Sequence, residues 1–288
     1  MAQHPFKQVD VFTALPLRGN PVAVVFEADD LSTAQMQAIA NWTNLSETTF
    51  VLRPGAGANP DTTYRLRIFT PKSELPFAGH PTLGSAHAWL ERRGPAGRTG
   101  GELRLVQQCG AGDIAITCND EGYALRLPTA LSATVDADTT SALERIIGPI
   151  LTGAAPVIID LGPRWLVTQV TSAAACLAIA PDLPKLSGLS QRLGITGLTV
   201  FGKTVSGNAD YEVRSFAPLH GVPEDPVCGS GNGAVALYLQ SQGAAGAGYT
   251  ATQGAALGRA GQVTIRYAAE GIWLGGRAVT CVDGVLTV

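Results

Sequence analysis

The sequence predicts an α+β protein made of two similar halves, each with several strands and one central helix. Three observations predict this arrangement. A strand pattern occurs twice, a helix rich in small and apolar residues follows each copy, and the helix and strand signals before each copy come in the same order. Self-similarity at a fixed spacing is the signature of duplicated structural units, so it is interpreted first.

The repeated pattern is Tyr-x-(Leu/Val)-Arg-x-Phe-x-Pro, whose copies begin at Tyr64 and Tyr211, an offset of 211 − 64 = 147 residues. Alternating apolar and polar positions that end at proline indicate a strand that runs into a loop. Four matching positions in one strand could arise by chance. The shared order of the surrounding elements favours duplication over chance.

Upstream of the first copy, Val22 to Val25 has the composition of a strand. Leu31 to Trp42 follows as a predicted helix, with Ser32 as its N-cap and Gln35 completing a capping box. A strand over Leu45 to Leu52 comes next, and its alternation places Glu47 on one face of that strand. The second half has the expected counterparts in the same order: a strand over 156–159, a helix over 184–193 and a strand over 196–201.

A central helix follows each repeat strand. The first begins near Pro81, a favourable first helical residue, after a loop from Lys72 to Gly79. The second follows a loop from Leu219 to Cys228 and carries six apolar or aromatic residues over 234–239. A helix that is apolar on nearly all sides is expected to be buried in the middle of its domain.

A break near Pro128, before the polar stretch from Ser132 to Ser141, marks the expected domain boundary. The sequence therefore predicts a first domain over residues 1–128, to which a last strand over 276–288 returns. The second domain is expected over residues 129–275.

Composition narrows the class of function. Of the 288 residues, 45% are hydrophobic and only 15% charged, which favours a well-buried core over disorder. Twenty Lys and Arg are balanced by 23 Asp and Glu, and no basic run is present, so nucleic-acid binding is not expected. No apolar run has the roughly 18–20 residues that cross a bilayer, and no signal peptide is recognisable, so a cytoplasmic location is expected.

The cysteine pattern predicts neither disulfides nor a metal site. The chain has five cysteines, which is an odd number, and no two of them are spaced as a Cys-x-x-Cys pair. The glycine run over 229–234 matches Gly-x-Gly-x-x-Ala, but no apolar strand precedes it and no acidic residue lies roughly 20 positions beyond, so a dinucleotide site is not expected. We therefore expect no cofactor and no metal.

Two helix N-termini that face one another would suit a small carboxylate or an enolate-like anion. The first N–H groups of a helix have no intrahelical partners, and the helix dipole is positive there. The glycines near the two starts, Gly79 and Gly229, let backbone approach a ligand closely. The duplicated helices thus predict a carboxylate-binding pocket between the halves.

Five short segments carry recognisable motifs: Val-Asp-Val-Phe-Thr at 9–13, Gly-Asn-Pro at 19–21, Leu-Ser-Glu-Thr-Thr-Phe at 45–50, Phe-Ala-Gly-His-Pro-Thr-Leu-Gly at 77–84 and Glu-Asp-Pro-Val-Cys-Gly-Ser-Gly at 224–231. In these segments, which span essentially the whole chain, the sequence resembles the PhzF-like phenazine-biosynthesis family. The resemblance implies the diaminopimelate-epimerase-like fold, in which two pseudo-symmetric domains each wrap a curved, mostly antiparallel sheet around a central helix. It also implies an isomerase, with a homodimer as the oligomeric state it suggests.

The resemblance implies roles for individual residues. Glu47 matches the catalytic acid/base, which takes a proton from one carbon and returns one elsewhere. His80 and Asp225 match residues that position the substrate and assist proton movement. The expected substrate contacts are Asn20, Ser46, Gly79, Cys228, Gly229 and Ser230.

Cys228 departs from the phenazine enzymes, in which a threonine precedes the Gly-Ser-Gly segment. Cys-Gly-Ser-Gly resembles one of the two cysteine sites of diaminopimelate epimerase, but Gly79 and His80 stand where a second cysteine would be needed. A helix N-terminus is expected to lower the pKa of a thiol. Two alternatives thus stay open: an epimerase or racemase that uses Glu47 with Cys228, and a binding protein without turnover.

Overall fold

The computed structural model describes residues 2–94, 101–148, 155–205 and 207–288. The chain forms two compact units, one of Met1–Arg126 with Gly275–Val288 and one of Leu127–Leu274. The boundary between Arg126 and Leu127 lies two residues before Pro128. In the described part of the chain, no helix is long and apolar enough to cross a membrane.

The first unit begins with strands and two helices in this order: β1 (Gln3–Val11), β2 (Asn20–Val25), α1 (Thr33–Thr43), β3 (Thr48–Leu52), β4 (Tyr64–Phe69), β5 (Glu74–Leu75), α2 (Gly79–Arg92), β6 (Leu103–Cys109), β7 (Gly112–Asn119) and β8 (Gly122–Arg126). The second unit continues with β9 (Leu131–Thr134), α3 (Ala137–Ile147), β10 (Val157–Asp160), β11 (Arg164–Val170), α4 (Ala173–Ala178), α5 (Leu183–Leu193), β12 (Gly197–Lys203), β13 (Tyr211–Ala217), β14 (Val222–Asp225), α6 (Gly229–Ser241), β15 (Gly248–Gln253) and β16 (Gly261–Ala268). The strand β17 (Gly271–Gly276) leads across the boundary, and β18 (Ala278–Thr287) completes the first unit by pairing with β1.

The sheet of the first unit is mostly antiparallel. β1 pairs antiparallel with β18 and β2, β2 runs parallel to β3, and β3 is antiparallel to β4. β4 then has an antiparallel partner in β5 and a parallel one in β6, which continues antiparallel into β7 and β8. The helix α2 packs against β1, β2, β3, β8 and β18, so this sheet curves around it.

The second unit repeats this pairing. β10 is antiparallel to β9 and β11, β11 is parallel to β12, and β12 is antiparallel to β13. β13 has an antiparallel partner in β14 and a parallel one in β15, which is antiparallel to β16. The helix α6 packs against β10, β11, β12, β13 and β16. The same order of parallel and antiparallel neighbours around one central helix supports the predicted duplication.

The topology corrects one expected correspondence. The strand predicted over 156–159 is β10, and its counterpart in the first unit is β1 and not β2. In each unit this strand is the first of an antiparallel pair, and the second strand of that pair then runs parallel to the next strand. The counterpart of β2 is β11. The repeat strands themselves, β4 and β13, occupy equivalent places.

The outer helices cover the opposite faces of the sheets. Ser32 caps α1 through the predicted capping box, since its hydroxyl accepts from the Gln35 N–H at 3.3 Å and its own N–H donates to the Gln35 side chain at 3.0 Å. Met36 and Ile39 of α1 then pack on Phe50 in a buried cluster. In the second unit α3, α4 and α5 form the corresponding layer with the buried residues Leu143, Cys176, Leu186 and Leu198.

The two central helices approach their sheets closely because glycine faces the strands. A Cβ atom on Gly84 would lie 2.4 Å from Val22 Cγ1, and one on Gly231 would lie 2.4 Å from Ser215 Oγ. Neither space holds a methyl group, so both helices owe their depth to these glycines. The predicted burial of the helices is confirmed, with Leu83, Ala86, His87 and Leu90 of α2 all buried.

Candidate active site

Glu47 lies between α1 and β3, and the prediction that it belongs to a strand over 45–52 was wrong. Asn44 ends α1 in the left-handed conformation (φ 53°), and the chain bends over 45–46 before β3 begins at Thr48. Strand pairing with β2 begins only where Ala23 faces Thr48. Just before it, the Glu47 carbonyl accepts from the Ala23 N–H at 3.5 Å. Strand alternation therefore does not fix the direction of this carboxylate.

The Glu47 carboxylate is buried and unusually basic. Its side chain is 16% exposed. Burial raises the pKa of Glu47 from 4.5 to about 7, and an interaction with the Ser46 side chain lowers it by less. Among the described residues, Oε2 of Glu47 has no hydrogen-bond donor. A carboxyl group with this pKa exists in both protonation states near neutral pH, as a group that must take up and return protons requires.

His80 stands directly against this carboxylate. Its Nε2 lies 3.4 Å from Oε2 of Glu47, and its ring is buried. The helix α2 begins at Gly79, two residues before the predicted start at Pro81, so His80 is in the first turn. The N-cap residue Ala78 gives no side-chain cap, and the positive end of the helix dipole lies at this first turn.

The remaining residues predicted in the first half lie in the same unit. Asn20 is the first residue of β2, is buried and faces Val11 of β1. The loop before it is held by Asp10, whose Oδ2 accepts from the N–H groups of Arg18 at 2.7 Å and Gly19 at 2.9 Å. Ser46 immediately precedes Glu47, and Gly79 opens α2. Among these predicted residues, the structure brings Glu47 and His80 into contact.

In the second unit, Asp225 ends β14 where it faces Ser215 of β13. Its Oδ1 accepts from the Val227 N–H at 3.1 Å across Pro226, which is an Asx-type turn. This turn leads into Cys228, the N-cap of α6. Asp225 is thus a turn-former by geometry, and its carboxylate sits beside the start of the second central helix.

Cys228 caps the start of α6 through its sulfur. Its Sγ accepts from the Gly231 N–H at 3.2 Å and lies 3.6 Å from Oγ of Ser230. Burial raises the pKa of the thiol, and the charge of Asp225 raises it further. The expected lowering by the helix N-terminus was therefore wrong, because the loss of solvation outweighs the dipole when the residue is only 3% exposed.

Sequence reasoning missed two hydroxyl groups beneath the start of α6. Thr199 on β12 and Ser215 on β13 share a hydrogen bond of 3.0 Å, and Ser215 Oγ is the atom that a side chain at Gly231 would strike. A third polar partner is Trp165, whose Nε1 donates to Ser230 Oγ at 3.0 Å. Ser215 occupies a variable position of the repeat pattern, so no sequence signal pointed to it.

Over the described ranges, no three His, Cys, Asp or Glu side chains cluster as a metal site would require. The groups that the structure brings together are instead a carboxylate and an imidazole at one helix start, and a carboxylate, a thiol and hydroxyls at the other. The first set can exchange a proton, and both can hold an anion.

Comparison with known proteins identifies a family whose sequences this chain matches. The family model for phenazine biosynthesis-like protein (PhzC-PhzF) matches residues 9–284. The chain is 40% identical over 300 residues to antisense-enhancing sequence 1 of Schizosaccharomyces pombe, covering 99% of each protein. It is 36% identical over 248 residues to trans-2,3-dihydro-3-hydroxyanthranilate isomerase of Pseudomonas fluorescens, covering 83% of this chain and 81% of that protein.

The fold is also found among solved structures. The crystal structure of the phenazine biosynthesis protein of the PhzF family from Bacillus anthracis superposes with a TM-score of 0.84, at 22% identity, and covers 100% of both chains. At this identity the likeness concerns the fold alone. It confirms the predicted class, an α+β protein with the diaminopimelate-epimerase-like arrangement of two similar domains.

Proposed function

The chain belongs to the phenazine biosynthesis-like family and is an isomerase, and from this premise we propose that Glu47 catalyses a proton shift on a small carboxylate-bearing substrate. The observation that carries the proposal is the buried Glu47 carboxylate, whose pKa is raised to about 7, at 3.4 Å from His80. A base with this pKa is far stronger than an exposed carboxylate and is still half ionised near pH 7.

The proposed reaction has two proton transfers. Ionised Glu47 takes a proton from a carbon of the substrate, and the electron pair left behind spreads into an adjacent double bond or carboxylate. The protonated Glu47 then delivers a proton to a second carbon, which moves the double bond and restores the carboxylate. No electrons are gained or lost, and the only groups required are those of the chain.

The uncapped start of α2 suits the charge that develops between these two steps. The N–H groups of Gly79 and His80 belong to the first turn, where they have no intrahelical acceptors. Fixed donors in a buried site stabilise a developing anion more strongly than water does, because they need no reorganisation during the reaction. We assign His80 to steering the proton on Glu47, since its Nε2 lies 3.4 Å from Oε2 of that carboxylate.

Asp225 of the second unit is proposed as the further assistant, on the strength of the family motif. The proposed substrate contacts follow from the same motifs and are Asn20, Ser46, Gly79, Cys228, Gly229 and Ser230. The relative from Pseudomonas fluorescens makes trans-2,3-dihydro-3-hydroxyanthranilate the first compound to test. A panel of small cyclic, amino and unsaturated carboxylates extends the search.

The test is solvent exchange at carbon. Each compound is incubated with the protein in D2O, and incorporation of deuterium is followed by NMR and mass spectrometry. Wild type should introduce deuterium into at least one compound, and Glu47→Gln should lose roughly 100-fold or more of that rate, the usual size of an acid/base contribution. Equal rates in the two proteins would remove Glu47 from this role.

A matched control separates the effect of losing the proposed catalytic carboxylate from the effect of removing any carboxylate from the protein. Glu144→Gln makes the same change at an exposed position of α3, and it should exchange deuterium as wild type does. Calorimetric binding of the active compound to Glu47→Gln shows whether the site still holds its ligand. Binding by wild type without any exchange would instead favour a binding protein that has no turnover.

A further inference from the structure

The side chain of Gln253, at the end of β15, is a buried amide that links two parts of the second unit. It is 1% exposed. Its Oε1 accepts from Nδ2 of Asn232 in the first turn of α6 at 2.8 Å, and its Nε2 donates to the backbone carbonyl of Asp225 at 3.1 Å. Asn232 Nδ2 also donates to the Cys228 carbonyl at 2.9 Å. One amide thus ties the residue Asp225 to the start of the helix.

The chain before Asp225 is already fixed by a different device. Glu224 forms a two-pronged ion pair with Arg214, with both hydrogen bonds at 2.8 Å and both side chains largely buried. Nη1 of Arg214 donates to the carbonyl of Ile179 at 2.6 Å, just beyond the end of α4. After Asp225, Pro226 restricts the backbone. Asp225 itself faces Ser215 of β13 at the end of β14, and its carbonyl is the group to which Gln253 donates.

The first unit contains a matching amide that lacks this connection. Gln107 on β6 is also fully buried and reaches the first turn of its helix, where Nε2 donates to Oγ1 of Thr82 at 3.0 Å. Its Oε1 accepts from the hydroxyl of Tyr64 at 3.3 Å, on a neighbouring strand. The two glutamines are alike in burial and in bonding to a central helix, and they differ in that Gln253 bonds to the backbone of a proposed site residue.

We propose that Gln253 is a positioning residue that holds Asp225 in its working orientation. The carboxylate of Asp225 is aimed by its own backbone, and Oδ1 keeps its bond to the Val227 N–H only while that backbone is held. Loss of the hydrogen bond from Gln253 weakens the hold on this carbonyl by about one hydrogen bond, so we expect the turn at Asp225 to open more often without it. The proposal rests on the proposed function of Asp225, because it assigns Gln253 an effect on turnover through that residue.

The first test requires no substrate. Gln253→Met keeps the length and the apolar body of the side chain and removes both hydrogen bonds, and Gln107→Met does the same in the first unit. Hydrogen exchange of the Val227 amide, followed by NMR, reports the turn at Asp225. Exchange should accelerate roughly fivefold or more in Gln253→Met, the effect of losing about one hydrogen bond, and stay at the wild-type rate in Gln107→Met. An unchanged Val227 rate in Gln253→Met would overturn the proposal.

The second test measures turnover as deuterium incorporation from D2O, in a compound that wild type exchanges. Gln253→Met should lower kcat with little change in KM, and should add little when combined with Asp225→Asn, because both changes remove one function. Effects of the two changes that multiply would overturn the proposal. If wild type exchanges no compound, the proposed function fails, while the Val227 measurement still decides whether Gln253 holds Asp225.

A variant that keeps half of the link covers the case in which Gln253→Met does not fold. Gln253→Glu retains the acceptor for Asn232, and its side chain can donate to the Asp225 carbonyl only when protonated. Protection of the Val227 amide relative to wild type should therefore fall as pH rises and the new carboxyl group ionises. Protection that is independent of pH and equal to wild type would contradict the proposed role.

Discussion

Replacing Glu47 by glutamine should stabilise the protein, and by an amount that grows with pH. The folded state raises the pKa of this carboxyl group from 4.5 to about 7, chiefly by burying it. Between these two values the folded state binds a proton that the unfolded state has released, so stability falls as pH rises through this window. Below pH 4.5 the group is protonated in both states and costs nothing, whereas above pH 7 the full cost of burying a charge is present.

The size of this cost follows from the shift itself. Each pKa unit corresponds to about 1.36 kcal/mol, so a change from 4.5 to about 7 amounts to roughly 3 kcal/mol. The side chain is 16% exposed, so solvent screens this effect only slightly. Glutamine has nearly the same shape and does not ionise. The unfolding free energy of Glu47→Gln minus that of wild type should therefore increase by about 3 kcal/mol between pH 4 and pH 8.

The assay is urea unfolding at five or six pH values, followed by tryptophan fluorescence, with the difference taken where both proteins have equal m values. Glu144→Gln is the control, because it makes the same substitution at an exposed position of α3. A Glu47→Gln difference that is flat across this range would refute the argument, because it would mean that folding leaves the carboxyl group as solvated as in the unfolded chain.

Two further predictions follow from the paired architecture and from the buried thiol. Arg214→Met leaves Glu224 buried without its partner and should lower the unfolding free energy by about 3–5 kcal/mol. Arg67→Met, at the more exposed pair with Glu74, should lower it by about 1 kcal/mol or less through the lost charge. Equal losses of unfolding free energy in urea would contradict this ranking. Iodoacetamide should label the half-buried Cys109 and Cys281 of the folded protein well before Cys228, because Cys228 is buried and burial raises the pKa of its thiol. Inactivation traced to Cys228 by peptide mapping would instead favour an epimerase that uses this cysteine.

The features that the sequence revealed correctly are those encoded by local patterns. The capping box at Ser32 and Gln35, the repeat strands β4 and β13, and the two buried helices each depend on neighbouring residues whose spacing matches the period of the element. The spacing of apolar residues could not show that the strands wrap around each central helix with the same topology in both units. The resemblance to the family implied this topology.

The errors concern quantities that depend on distant parts of the chain. The residues near Glu47 do not show that β3 begins to pair with β2 only at Thr48, because the position of Ala23 on β2 sets the start of this pairing. The pKa of Cys228 was misjudged for a similar reason. The helix start beside it is visible in the sequence, whereas the packing of β10, β11 and β12 around α6, which removes water from the sulfur, is not. Desolvation is a property of the whole fold, and it dominated both titratable groups.

The repeated pattern acquires a physical explanation from the structure. In each unit the repeat arginine forms a two-pronged bond with a glutamate on the next strand, Arg67 with Glu74 and Arg214 with Glu224. Each guanidinium group also lies over the phenylalanine two residues later, at 5.1 Å from the ring of Phe69 and 4.9 Å from that of Phe216.

This shared brace fixes the strand that leads into each central helix, and so it places the loop from which the site residues come. In the second unit the braced glutamate is the immediate neighbour of Asp225, whereas in the first unit five residues separate Glu74 from His80. The repeat thus preserved the support and not the reactive groups. Duplication supplied two equivalent helix starts, and divergence of the loops gave one of them a basic carboxylate with an imidazole and the other a buried thiol with a carboxylate.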